Sequence, residues 1–155
     1  MCIRDSINFT LKRGEVVFLI GANGSGKSTL AKLITGLYQP KFAENTGIFI
    51  DNQPVASEHY PHYRQLFSAI YSDFYLFKTV MGSAQNAPNA ELIDNWLDIL
   101  AIKEKVSVSD NQLSATELSQ GQRKRLAMLL AVAEEKSILL LDEWAADQDL
   151  SLIHI

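Results

Sequence analysis

The residues Gly21-Ala22-Asn23-Gly24-Ser25-Gly26-Lys27-Ser28-Thr29 fit the phosphate-binding pattern G-x-x-x-x-G-K-[ST]. Gly21, Gly24 and Gly26 allow backbone conformations closed to other residues, so that N–H groups can approach phosphate oxygens at a helix N-terminus whose partial charge favours anions. Lys27 adds a mobile full charge. The Ser28 hydroxyl is a hard oxygen ligand for the Mg²⁺ that accompanies terminal phosphates, and Thr29 offers a weaker phosphate contact. Further along, Ile138-Leu139-Leu140-Leu141-Asp142-Glu143 is an apolar run ending in two carboxylates. Ligands of open parallel sheets bind at the carboxyl ends of strands, which puts Asp142 and Glu143 beside the glycine loop. One carboxylate can hold a Mg²⁺ shell and its neighbour can orient and deprotonate an attacking water.

These side chains need a strand and a helix around the loop. Val16-Val17-Phe18-Leu19-Ile20 reads as a strand buried on both faces, and Leu30, Leu33, Ile34 and Leu37 as the apolar stripe of the following helix. That helix is expected to stop near Gly36, with Pro40 beyond it. Ile7 to Leu11 reads as a short strand, and Lys12 to Glu15 as the turn into the loop strand. Gly47 to Ile50, a turn at Asp51-Asn52-Gln53, and Pro54-Val55 suggest a hairpin. Ser68 to Tyr71 is a further strand.

From Lys78 to about Leu118 the period changes. Pro88-Asn89 caps a helix carrying the stripe Leu92, Ile93, Trp96, Leu97 and Leu100, so the stretch reads as a mainly helical insert with Trp96 in the core. Then comes Leu118-Ser119-Gln120-Gly121-Gln122. Ser119 and Gln122 are spaced as a capping box ahead of Leu126, Leu129, Leu130 and Ala133. Gly121 and the cations Arg123-Lys124-Arg125 oppose an ordinary helix start, and an anion docked there would offset both costs.

Composition sets the outer limits. The 155 residues, 47% of them apolar and 21% charged, can bury one core. A net charge of -4 argues against a surface built for nucleic acid. Cys2 has no partner for an internal disulfide, and no apolar run approaches membrane-spanning length. His59 and His62 read as surface histidines. Met1 to Ser6 and Leu150 to Ile155 look foreign to the rest, so the expectation is a domain fragment over 7–149, incomplete at both ends.

The glycine loop, then LSQGQ, then ILLLDE, arranged around an insert, resemble the nucleotide-binding domain of ABC transporters over Ile7 to Asp149. The wording from Leu113 to Leu126 and from Leu141 to Asp149 is similar to the branch that exports cyclic peptides and siderophores. The resemblance implies an α/β P-loop NTPase with a mainly parallel sheet, a small antiparallel β part and a helical insert, acting on ATP with Mg²⁺. It implies a second ATPase domain paired head to tail, so that residues 21–29 of each domain hold ATP against Ser119, Gln120, Gly121 and Gln122 of the other. Ser28 and Asp142 become the metal ligands, Glu143 the catalytic base, and Ala145 to Asp149 the segment crossing to the partner site. It also implies a transmembrane domain fused N-terminally in the full-length protein, and a place for the ATPase domain at the cytoplasmic face of the inner membrane.

Departures accompany the likeness. Ser72, with Asp73 beside it, takes the position where the family usually has a glutamine. The adenine-stacking aromatic is expected before Ile7 and the switch histidine after Asp149, and His154 is too close to Glu143 to be that histidine. Trp144 stands where small residues or proline are common and is expected to pack beside the site. Two other readings stay open: an ATPase of chromosome organisation or DNA repair, disfavoured because no coiled coil separates Ser28 from Ser119, and a nucleotide-binding remnant without turnover.

Overall fold

A computed structural model describes residues 7–39 and 47–144. The expected segments Met1 to Ser6, Ala145 to Asp149 and Leu150 to Ile155, together with Pro40 and His154, lie outside the described residues. In chain order the elements are helix α1 (Lys27–Ile34), strands β1 (Phe49–Ile50) and β2 (Gln53–Pro54), helix α2 (Tyr60–Arg64), strand β3 (Phe67–Ile70), helix α3 (Ala90–Ile99), strands β4 (Val108–Ser109) and β5 (Gln112–Leu113), helix α4 (Gln120–Ala133) and strand β6 (Ile138–Leu141).

Strands β3 and β6 run parallel, in a register from Phe67 opposite Ile138 to Ile70 opposite Leu141. Parallel neighbours need a crossover, and here it carries α3 and α4. Helix α4 packs on β3, and α3 packs on α4. A helix held between two layers is apolar on most sides. Accordingly Ala127, Met128 and Ala131 are buried beside the expected Leu126, Leu129 and Ala133. The core joins these to Ile70, Ile93, Leu97, Leu100 and Ile102, each large aliphatic side chain contributing about 1.5–3 kcal/mol. Helix α3 starts as its sequence dictates: the Asn89 carboxamide oxygen accepts from the Glu91 and Leu92 amides at 3.1 and 3.2 Å. Trp96 lies half-buried against the same core.

Both hairpins turn on two-residue loops. Asp51 and Asn52 have φ of 48° and 63°, and Asp110 and Asn111 have φ of 50° and 60°. Positive φ at both centres matches the twist of paired strands, and Asp and Asn tolerate it. Gln53 therefore belongs to a strand, not to the turn. The stretch 78–118 has α3 as its longest element, and one hairpin that the sequence reading did not name. Besides α3 and a single 3₁₀ turn at Ser83–Gln85, this stretch holds the β4–β5 hairpin, whose Asp110-Asn111 signal was there to be read.

The expected strand Val16 to Ile20 is not in a ladder. Val16, Phe18 and Ile20 are 78%, 82% and 90% exposed. Burial on both faces is a property of neighbours, and the described parallel ladder contains only β3 and β6. Ile7, Phe9 and Leu11 are likewise exposed and form no strand. The turn after them does form: the Glu15 amide donates to the Lys12 carbonyl at 3.1 Å, with Gly14 at φ 81°. Helix α1 ends at Ile34, and Gly36 reverses the chain at φ 72°. Leu37 therefore leaves the helical face on which it was expected, and it is exposed.

Candidate functional site

The glycine loop enters α1 without a side-chain cap. Gly26 is the N-cap at φ 96°, a left-handed conformation open to glycine, and no side chain accepts from the first amides of the helix. Those amides are left to an external acceptor, and the helix dipole favours an anionic one. Gly24 also has positive φ, 75°. Gly21, expected to need the same freedom, is not among the glycines with positive φ, and a Cβ there would crowd only the rotatable Ser25 hydroxyl, at 2.8 Å. The Lys27 ammonium is folded over the loop and donates to the carbonyls of Gly21 and Ala22, both at 2.9 Å. An ammonium has three protons, so one donor direction remains for a phosphate oxygen. Ala22, Asn23, Ser25 and Thr29 are exposed around it, and Ser28 is half-buried.

Ser28, on the first turn of α1, meets Asp142, which follows β6. The Ser28 hydroxyl donates to Asp142 Oδ1 at 3.2 Å. Register brings them there: the Asp142 amide extends the parallel ladder by donating to the Ile70 carbonyl at 2.8 Å. Asp142 is buried, and its Oδ2 has no hydrogen-bond partner. A buried oxygen left unsatisfied costs about 1–3 kcal/mol, and a cation between Ser28 and Asp142 would remove that cost. The donor set fits Mg²⁺: two hard oxygens from the protein, the rest from phosphate and water. Among the described residues no group of three or more His, Cys, Asp or Glu side chains could form an all-protein cage for another metal.

Glu143 is next in the chain, exposed, at φ 56°. Left-handed backbone costs a non-glycine residue about 1–2 kcal/mol, and here it turns Glu143 outward while Asp142 and Trp144 on either side point in. Ser72 and Asp73 occupy an exposed turn just past β3, at the same strand end as Asp142; the Phe74 amide closes the turn on the Tyr71 carbonyl at 3.1 Å. Tyr71 ties this end to α1. Its hydroxyl lies 2.6 Å from Thr35 Oγ1, and the Lys32 ammonium lies 5.6 Å from its ring centre. Burial raises the Tyr71 pKa, Thr35 and Lys32 oppose the rise, and the charges of Asp142 and Asp73 add to it.

At the start of α4 the capping box is present. The Gln122 amide donates to Ser119 Oγ at 3.4 Å, and the Ser119 amide donates to Gln122 Oε1 at 3.1 Å. Gln120 and Gly121 begin the first turn between them. Two of the three cations behind the box are engaged away from the helix N-terminus. Lys124 is buried and donates to the Glu143 carbonyl, and Arg125 donates to the Leu100 carbonyl at the C-cap of α3, where positive charge is favoured. Sequence reasoning missed Lys124 and Tyr71, because a buried lysine looks like an exposed one until its contacts are known. Trp144 packs beside the site as expected, buried, its indole N–H on the Lys124 carbonyl at 2.8 Å.

With this geometry in hand, similarity to known proteins places the chain. The family profile described as ABC transporter matches residues 4–146. The chain belongs to the ABC transporter family. It is 42% identical over 145 residues to the ATP-binding protein SyrD of Pseudomonas syringae pv. syringae, covering 92% of this chain and 25% of SyrD. It is 30% identical to the nisin transport ATP-binding protein NisT of Lactococcus lactis subsp. lactis, covering 93% of this chain and 26% of NisT. The chain thus spans about a quarter of the length of these two relatives. Among solved structures, cbiO1 from Clostridium perfringens, part of the transporter complex cbiONQ, aligns with a TM-score of 0.67 at 28% identity, over 96% of this chain and 61% of that one. A bacterial Atm1-family ABC exporter with ATP bound has the same fold, with a TM-score of 0.68 at 22% identity, over 86% of this chain and 25% of that one. The α/β ABC ATPase fold expected from the sequence is therefore the fold observed.

Proposed function

We propose that this chain, as the domain over residues 7–149, binds and hydrolyses ATP to drive a membrane exporter. The observation that carries the reading is the meeting of Ser28 and Asp142 at 3.2 Å with a buried, unpartnered oxygen on Asp142. Residues 21–29 cradle the phosphates through backbone N–H groups and the Lys27 ammonium. Ser28 and Asp142 would hold Mg²⁺, which would supply charge neutralisation on the terminal phosphates. Glu143 orients a water for in-line attack on the γ-phosphorus and takes its proton, and the bond from the γ-phosphorus to the bridging oxygen breaks to leave ADP. Ser72 and Asp73 flank the metal side of the site. Serine can hold a water but reaches less far than glutamine, which weakens the coupling of nucleotide to membrane domain at this position.

In this reading the site is completed by a second ATPase domain, whose Ser119, Gln120, Gly121 and Gln122 close over the nucleotide, and a transmembrane domain uses the motion of the two ATPase domains at the cytoplasmic face of the membrane. Among the described residues no helix is long and apolar enough to cross a membrane; in this reading the transmembrane domain is fused N-terminally to the ATPase domain. The likeness to the ATP-binding protein SyrD supports the ATP-binding role, and the name of NisT, a nisin transport protein, supports transport of a peptide cargo. The test is Glu143→Gln in the complete protein carrying this chain. ATP binding is retained and turnover falls by about 100-fold or more, in line with loss of a general base. Unchanged turnover removes Glu143 from the mechanism.

A further inference from the structure

Two hydrogen bonds cross between α4 and the turn after β6, in opposite directions. The Lys124 ammonium donates to the Glu143 carbonyl at 3.3 Å, and the Trp144 indole N–H donates to the Lys124 carbonyl at 2.8 Å. Both side chains are buried, Lys124 to 7% exposure and Trp144 to 8%. Residue 143 between them holds a backbone conformation that a glutamate adopts only at a cost. We infer that Lys124 and Trp144 form a reciprocal clamp that positions the Glu143 carboxylate from α4.

The physical argument has three parts. Burying an ammonium is unfavourable unless its protons are used, so its place inside α4 is sustained by acceptors such as the Glu143 carbonyl. A left-handed glutamate persists only where its surroundings over-determine it; here a hydrogen bond grips its own carbonyl, and the next side chain is anchored in the core. The grip also comes from the residue two positions behind Gln122. A shift of the first turn of α4, where the neighbouring domain's nucleotide is proposed to dock, therefore acts on the backbone that aims Glu143. Neither Lys124 nor Trp144 needs to touch ATP or the attacking water. Both are positioning residues.

The inference rests on Glu143 being the base, and the experiment keeps the two apart. In the complete protein, Trp144→Phe keeps an aromatic ring in the core but removes the N–H together with the five-membered ring, and Lys124→Met keeps the stem and removes the ammonium. Each is expected to lower kcat about 10- to 100-fold, the scale of a misplacement near 1 Å, with KM for ATP unchanged within about 3-fold of the parent. The double variant is expected to fall no further than the weaker single one, as for a unit. Without any turnover, peptides spanning residues 139–144 should take up deuterium faster in both variants. Unchanged kcat in both singles, a matching loss in KM, or unchanged deuterium uptake overturns the clamp while Glu143→Gln still abolishes turnover. Normal turnover by Glu143→Gln overturns the base assignment and, with it, the clamp. If Lys124→Met fails to fold, Trp144→Phe decides alone.

Discussion

Replacing Asp142 by Asn changes one buried oxygen to an amide nitrogen and removes the charge a metal needs, at nearly constant volume. The Ser28 hydrogen bond to Oδ1, at 3.2 Å, is longer than the usual O–H···O range, so it sits at the weak end of the roughly 0.5–1.5 kcal/mol such bonds contribute. The unpartnered Oδ2 is the larger quantity, worth about 1–3 kcal/mol once a cation satisfies it. Converted at 1.4 kcal/mol per decade, that is about a 5- to 150-fold tightening of ATP by Mg²⁺. The assay is titration of a fluorescent ATP analogue into the complete protein, in MgCl₂ and again in EDTA, with Glu143→Gln as background to prevent turnover. Asp142→Asn should lose the magnesium-dependent tightening and leave the EDTA affinity within about 3-fold, since the glycine loop and Lys27 are untouched. Full retention of the magnesium effect in Asp142→Asn would refute the assignment of the buried oxygen to the metal.

Two further outcomes concern the support under the site. Gly36→Ala places a methyl 2.9 Å from Tyr60 Cδ1 and 3.1 Å from Tyr63 Cδ1 at φ 72°, so it should destabilise by about 1–3 kcal/mol, read from the denaturant midpoint. Tyr63, whose hydroxyl donates to the Ile34 carbonyl at the end of α1, has its pKa raised to about 12 by burial and by the nearby Tyr60. The folded state therefore keeps a proton that the unfolded chain releases near 10. Its contribution to stability is complete below pH 10 and is lost as pH rises through about 12. Denaturant midpoints measured across that window should fall with pH, and Tyr63→Phe should flatten the slope; an equal slope in the variant assigns the effect elsewhere.

Much of the local structure was legible because local chemistry fixes it. Glycines at 24 and 26 mark the left-handed turns that open α1, Ser119 and Gln122 cap α4 through each other, Asn89 caps α3, and Asp51-Asn52 closes the first hairpin. The run Ile138 to Leu141 and its acidic end were likewise plain, and so was its parallel character, since a glycine-loop helix and a long crossover leave few other ways to build the sheet. What the pattern could not supply was the number of neighbours around a strand. Val16 to Ile20 has the composition of a buried strand and is exposed, because burial depends on what pairs with it.

The sequence by itself therefore determined which residues could meet phosphate, metal and water, through spacing that sets loop, helix start and strand end within a few residues of each. Only the tertiary structure decided that Ser28 and Asp142, 114 positions apart, share one hydrogen bond, that an oxygen beside them is left for a cation, and that Lys124 turns inward to hold the backbone of Glu143. Those facts depend on register between β3 and β6 and on how α4 lies against them. Contacts between segments remote in the chain are set by packing and carry no local signature.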